Sequence, residues 1–144
     1  RTVFFGTPEI AVPTLAALAA RHELSAVVCQ PDRPKGRSGR PQAPPAKAWA
    51  LEHGIPVHQP EKLNDGAFEQ WLRAHGAAYG RLLKQPILDI PPQGWLNVHP
   101  SLLPRYRGPS PIQAPLLHGD EETGVTIMRM ILEMDAGNIV LQER

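Results

Sequence analysis

Apolar residues along the chain fall into short runs punctuated by glycine and proline. Residues 2–5 (TVFF) form one such run and stop at Gly6, which reads as a buried strand followed by a tight turn. Pro13 suits the first turn of a helix, where a missing N–H costs nothing, and the TLAALAA stretch after it is strongly helix-forming. Leu24 to Gln30 (LSAVVCQ) reads as a second strand. A helix over AKAWALEH closes at Gly54, and IPVHQ is a third strand candidate. The helix GAFEQWLRAH follows, with Asp65 as N-cap and Gly76 as its end. This βαβαβα order predicts a parallel sheet with crossover helices.

A fourth strand should follow Gly76. Only Ala77, Ala78, Tyr79 and Gly80 stand before the helical-looking RLLKQPIL, so a central strand is expected to be shortened or missing. Farther on, WLNVH reads as a strand and IQAPLLH as a helix closing at Gly119. GVTIMRMI is the clearest later strand, Asp135-Ala136-Gly137 a turn, and NIVLQ a last strand. The expected class is α/β, a parallel or mixed sheet with helices on both faces, in one domain over residues 1–144.

Composition narrows the function classes. The chain has 15 Lys+Arg and 14 Asp+Glu, 42% hydrophobic and 20% charged residues, which is ordinary for a folded globular protein. A net charge of +1 argues against bulk nucleic-acid binding but permits a local basic patch. Such a patch exists in QPDRPKGRSGRPQAPPAK, where Arg33, Lys35, Arg37, Arg40 and Lys47 face one acid, Asp32. Its many breakers predict irregular structure, either a solvated surface loop or a phosphate-contacting one. The 17 prolines are spread among apolar segments and read as loop and helix-start residues. No apolar run approaches the ~18 residues of a membrane helix. The RTVFFGTPE start lacks a signal-peptide layout, so a cytoplasmic protein without a membrane partner is expected. The lone Cys29 permits neither an internal disulfide nor a cysteine zinc cluster. The six histidines form no HExxH pair, so no metal is expected.

Phosphate fingerprints are absent: Gly6-Thr7-Pro8 is not GxGxxG, and no GxxxxGK[ST] occurs. Gly6 is either a strand-to-helix turn or a ligand-facing turn. Asn97 and His99 are more informative. Two apart on a strand, they point to one face, just before Pro100 ends it. An amide and an imidazole there could stabilise a developing oxyanion and handle a proton, or could be structural. Asp135 beside a turn glycine is either turn chemistry or the partner that orients His99 and stabilises its cation.

The run Asn97-Val98-His99-Pro100-Ser101-Leu102-Leu103-Pro104, followed by Arg105-Tyr106-Arg107-Gly108, resembles the folate-dependent formyltransferases. The resemblance extends through FFGTPEIAVPTL, QPDRPKGR, PVHQPEKL, AYGRLL, LDIPPQG, PIQ, GDEETGVTIMRM and DAG. It implies a Rossmann-like domain that moves a formyl group from 10-formyltetrahydrofolate to an amine. The QPDRPKGR segment points to the branch whose amine is the α-amino group of methionine on initiator tRNA. Glycinamide ribonucleotide or an amino sugar is the alternative acceptor, and a non-catalytic truncated fragment the alternative from another class. The resemblance assigns catalysis to Asn97, His99 and Asp135, and part of the folate pocket to Ser101, Leu102, Leu103 and Pro104. It assigns tRNA contact to Arg33, Lys35, Arg37 and Arg40. It implies folate and initiator tRNA as partners, with no obligate protein partner evident. It also implies that the catalytic domain is incomplete and that the family's C-terminal tRNA-binding barrel is absent. Before the matching aspartate the family carries an acidic or glycine-containing stretch, where this chain has Ile131-Leu132-Glu133-Met134.

Overall fold

The computed structural model describes residues 2–34, 41–62, 66–75 and 85–144. The chain forms two compact units, Arg1–Tyr79 and Gly80–Arg144.

The first unit is built on three parallel strands, β1 (Thr2–Phe5), β2 (Leu24–Val28) and β5 (Val57–His58), in the order β1-β2-β5. Between them run α1 (Val12–Ala19) and α2 (Pro45–Glu52), each with proline in its first turn. There the fixed φ suits the helix and the absent N–H would have had no partner. Alternation along the strands separates two apolar faces. Phe4, Val27 and Val57 pack with Leu15 of α1 and with Ala46 and Ala50 of α2. The neighbouring positions Phe5 and His58 turn the other way, onto α3 (Gly66–His75): Phe5 meets Phe68 edge-on, and His58 stacks on Trp71. Helices therefore cover both faces of this sheet.

Within the basic stretch, β3 (Arg33–Pro34) and β4 (Pro41–Gln42) pair antiparallel, and α2 begins at Pro45. This corrects the expectation of wholly irregular structure: a short ladder closes the base of a hairpin despite two prolines. Residues 35–40 lie outside the described residues, as do Asp65 and the residues after Gly76 where a shortened fourth strand is expected.

The second unit contains α4 (Gln85–Leu88), β6 (Leu96–His99), α5 (Gln113–His118), β7 (Val125–Arg129) and β8 (Ile139–Glu143). Its three strands are antiparallel in the order β6-β7-β8. Two glycines let the backbones approach. A Cβ on Gly124 would meet the Glu143 carbonyl, and one on Gly137 the Arg129 carbonyl. Trp95 is buried and donates its indole N–H to the Leu88 carbonyl at 3.0 Å. Among the described residues, no helix is long and apolar enough to cross a membrane.

Candidate active site

β6 ends at His99, and its period of two sends Asn97 and His99 to one side of the strand. The described neighbour of β6 is antiparallel β7, with His99 opposite Thr126 and Asn97 opposite Met128. Among the described residues, the site thus stands at the end of a strand in an antiparallel ladder.

Asp135 comes from the turn between β7 and β8. It adopts φ +48°, a left-handed conformation that aspartate tolerates better than most side chains. Its Oδ2 accepts the Gly108 N–H at 2.9 Å, which fixes the carboxylate. Gly108 itself lies at φ +99°, where a side chain would be strained. The same oxygen stands 3.7 Å from His99 Nδ1, and Oδ1 stands 3.5 Å from Asn97 Nδ2. Both separations exceed the usual 2.7–3.2 Å of an N–H···O bond. Two nitrogens are therefore aimed at one carboxylate without being seated on it. His99 is 4% exposed, so charge there is poorly screened by water.

The other ring nitrogen is engaged. His99 Nε2 lies 2.9 Å from the Tyr106 carbonyl oxygen, which can only accept, so Nε2 carries a proton. Tyr106 presents that carbonyl from φ +60°, a conformation that costs a non-glycine residue about 1–2 kcal/mol.

The segment between His99 and Tyr106 is tied down by its own polar atoms. Ser101 is fully buried and donates its hydroxyl to the Arg105 carbonyl at 2.8 Å. The Leu103 N–H donates to Thr126 Oγ1 at 3.2 Å, and Thr126 donates to the Ser101 carbonyl at 2.7 Å. Gln142 Nε2 donates to both Thr126 Oγ1 and the Leu103 carbonyl. The Ser101 hydroxyl and the Leu103 side chain thus serve the interior, Leu102 is half-buried and Pro104 exposed.

The basic segment lies in the other unit. Arg33 is exposed on β3, while Lys35, Arg37 and Arg40 fall outside the described residues. Below the hairpin, Lys47 Nζ donates to both Asp32 oxygens at 2.8 Å and to Gln59 Oε1 at 2.7 Å. Gln59 Nε2 returns to Asp32 and to the Gln30 carbonyl. The bond from Lys47, and then that from Gln59, holds the Asp32 carboxyl below its ordinary range. Gly6 is a crowded turn, where a Cβ would meet the Phe4 ring and Ala11. Burial pushes the Cys29 thiol up to about 11, so it stays protonated and unreactive near neutrality. Among the described residues, no group of three metal-binding side chains converges.

Two contributors were not singled out in the sequence: the Tyr106 carbonyl and the Gly108 N–H. Both are backbone groups, and only Gly108, a glycine shortly after a strand end, leaves a signal a reader could find.

A buried imidazole, an amide and a carboxylate converge at a strand end, a set of groups able to offer hydrogen-bond donors and to exchange a proton. A sequence profile described as formyl transferase matches residues 1–144, and the chain belongs to that family. It is 50% identical to a methionyl-tRNA formyltransferase of Moorella thermoacetica over 151 residues, covering 100% of this chain and 49% of that relative. The chain thus spans about half the length of the curated relatives it matches. The fold is similar to that of a phosphoribosylglycinamide formyltransferase from Bacillus halodurans, with TM-score 0.76 and 24% identity over 99% of this chain and 78% of that one. A sugar 3N-formyl transferase crystallised in the presence of dTDP and 5-N-formyl-THF is also similar, with TM-score 0.64 and 20% identity over 99% of this chain and 50% of that one.

Proposed function

We propose that this chain carries the catalytic domain of an enzyme that formylates the α-amino group of methionyl initiator tRNA, with 10-formyltetrahydrofolate as donor. The observation that carries the reading is the convergence of Asn97 and His99 on Asp135. The 50% identity to a methionyl-tRNA formyltransferase supports the choice of acceptor. The sugar formyltransferase found with formyl-THF supports the choice of donor.

The donor set fits the reaction. Bound formyl-folate supplies an electrophilic carbonyl carbon. Asn97 Nδ2–H and a proton on His99 Nδ1 provide two donors for the charge that develops on its oxygen. Asp135, anchored by Gly108, faces His99 Nδ1 and accepts a proton from the attacking amine through water; the bond from the formyl carbon to the folate nitrogen then breaks, and the proton passes to that nitrogen as tetrahydrofolate leaves. Leu102 and Pro104 line the donor's side, while Ser101 and Leu103 hold that segment in shape. Arg33, Lys35, Arg37 and Arg40 contact phosphates of the tRNA.

The test offers labelled 10-formyltetrahydrofolate with methionyl-tRNA, glycinamide ribonucleotide or a nucleotide-linked amino sugar as acceptor. Label in methionyl-tRNA alone is expected. Label in either small amine, or none in any acceptor, overturns the reading. Arg37→Ala is expected to weaken tRNA binding and to lower the salt slope by about one charge.

A further inference from the structure

Tyr106 occupies a strained conformation, and its side chain shows what holds it there. Its hydroxyl donates to Asp120 Oδ2 at 2.8 Å, and Arg105 Nη2 donates to Asp120 Oδ1 at 2.9 Å and to the Tyr106 phenolic oxygen at 2.9 Å. The Arg105 guanidinium lies over the Tyr106 ring at 5.0 Å, and His118 meets the ring at 5.5 Å. Asp120 is itself fixed by the end of α5. Gly119 takes the left-handed cap position at φ +68°, and the Asp120 N–H returns to the Pro115 carbonyl at 3.0 Å. Strained backbone persists only where its surroundings over-determine it. Here the over-determined atom is a carbonyl oxygen aimed at His99 Nε2.

We propose that Asp120, Tyr106 and Arg105 form a positioning clamp that fixes the tautomer of His99, keeping Nε2 protonated so that proton exchange occurs only at Nδ1, the nitrogen facing Asp135. With Nε2–H held by a carbonyl, the neutral ring has its lone pair on Nδ1. Protonation then adds N–H at Nδ1 and leaves Nε2 unchanged. The ring cannot flip without breaking the Nε2 bond, so the proton always appears on the side shared with Asn97 and Asp135. The clamp's value to catalysis rests on the formyl-transfer reading; the tautomer itself does not.

The experiment is a ¹⁵N-imidazole titration of the 144-residue chain, with His99 assigned by its loss in His99→Gln. In the unsubstituted chain, Nδ1 is expected to carry the large titration shift while Nε2 stays protonated throughout. A lone pair on Nε2 at any pH overturns the proposal without recourse to a variant. Tyr106→Phe removes one oxygen and Asp120→Asn one charge. In either, the large shift is expected to spread over both nitrogens as the tautomers mix. An unchanged titration in both variants, with native amide dispersion, also overturns it. A fixed Nδ1 titration without formyl transfer to any acceptor would sink the functional reading alone. Transfer with a mixed tautomer would sink the clamp alone.

Discussion

Lys47, Asp32 and Gln59 in the first unit form a polar cluster near the ends of parallel strands, partly open to water through Asp32. Asn97, His99 and Asp135 in the second form one at the end of an antiparallel strand, with the histidine almost sealed. In the exposed cluster every donor is seated on its acceptor at 2.7–2.8 Å. In the buried cluster the two approaches to Asp135 are 3.5 and 3.7 Å. The closed network has spent its hydrogen bonds internally and holds a loop base in place. The buried one leaves two nitrogens unseated where water screens least, and when His99 is protonated both can donate to a reacting oxygen.

The largest expected effect tests that difference directly. His99→Ala or Asn97→Ala should lower formyl transfer by about 10²–10³ or more, the typical loss for one oxyanion donor. Asp135→Asn keeps an acceptor for Gly108 but removes the charge opposite Nδ1, and should also lower formyl transfer. Lys47→Met should leave turnover of bound substrate unchanged. A loss in that variant as large as in His99→Ala would erase the distinction between the clusters.

How far the sequence could show this is visible in particular residues. Strand and helix positions follow hydrophobic spacing and glycine or proline stops, so GAFEQWLRAH reads as a helix and is one, Gly66–His75. Period two placed Asn97 and His99 on one face. The partnership of Asp135 with His99 was only one of two readings, because the two lie far apart in the chain and a turn aspartate has its own uses. Antiparallel pairing of β6 and β7 was illegible, since a strand's direction is set by long-range pairing. So was the role of Tyr106, whose positive φ runs against its propensity and whose contribution is a backbone carbonyl. The ladder at the base of the basic hairpin escaped notice for a similar reason: two prolines argue against pairing, yet edge positions leave room for them.

Next in size is a packing test beside the site. Thr126 is fully buried, and its hydroxyl serves Ser101, Leu103 and Gln142 together. Thr126→Val keeps the shape but takes this partner from the Ser101 carbonyl and the Leu103 N–H, while Gln142 keeps the Leu103 carbonyl; the cost is about 1–3 kcal/mol for each buried group left without a partner. Chemical denaturation should register that loss equally at low and high salt. A neutral outcome would mean that the segment carrying Ser101 and Leu103 is held by something other than this hydroxyl.

A smaller effect follows from the aromatic stack in the first unit. His58 lies 4.3 Å from Trp71, which in turn stacks on His75 at 4.1 Å. Burial, and then the neighbouring His75, holds His58 below its ordinary 6.5. The unfolded chain therefore takes up a proton here before the folded one does. Stability is complete above pH 6.5 and declines as pH falls from there through the folded value. His58→Gln should flatten that part of the stability profile. A profile with unchanged slope would place the titration elsewhere.

The smallest effect belongs to the exposed cluster, and it has the same sign from the opposite cause, since here the charged form is the one favoured. Lys47 holds the Asp32 carboxyl below 3.8, so the unfolded chain binds that proton first as acid is added. The contribution is present above pH 3.8 and is lost as pH falls through the lower folded value. Because Asp32 faces water, the pair should also fade as salt rises, the Debye length shrinking to about 3 Å at 1 M. Lys47→Met should shift the denaturation midpoint slightly at low salt and hardly at all at 1 M. Thr126→Val should cost the same in both. If the two variants responded alike to salt, the clusters would share one electrostatic environment, and burial would not be what separates a structural network from a reactive one.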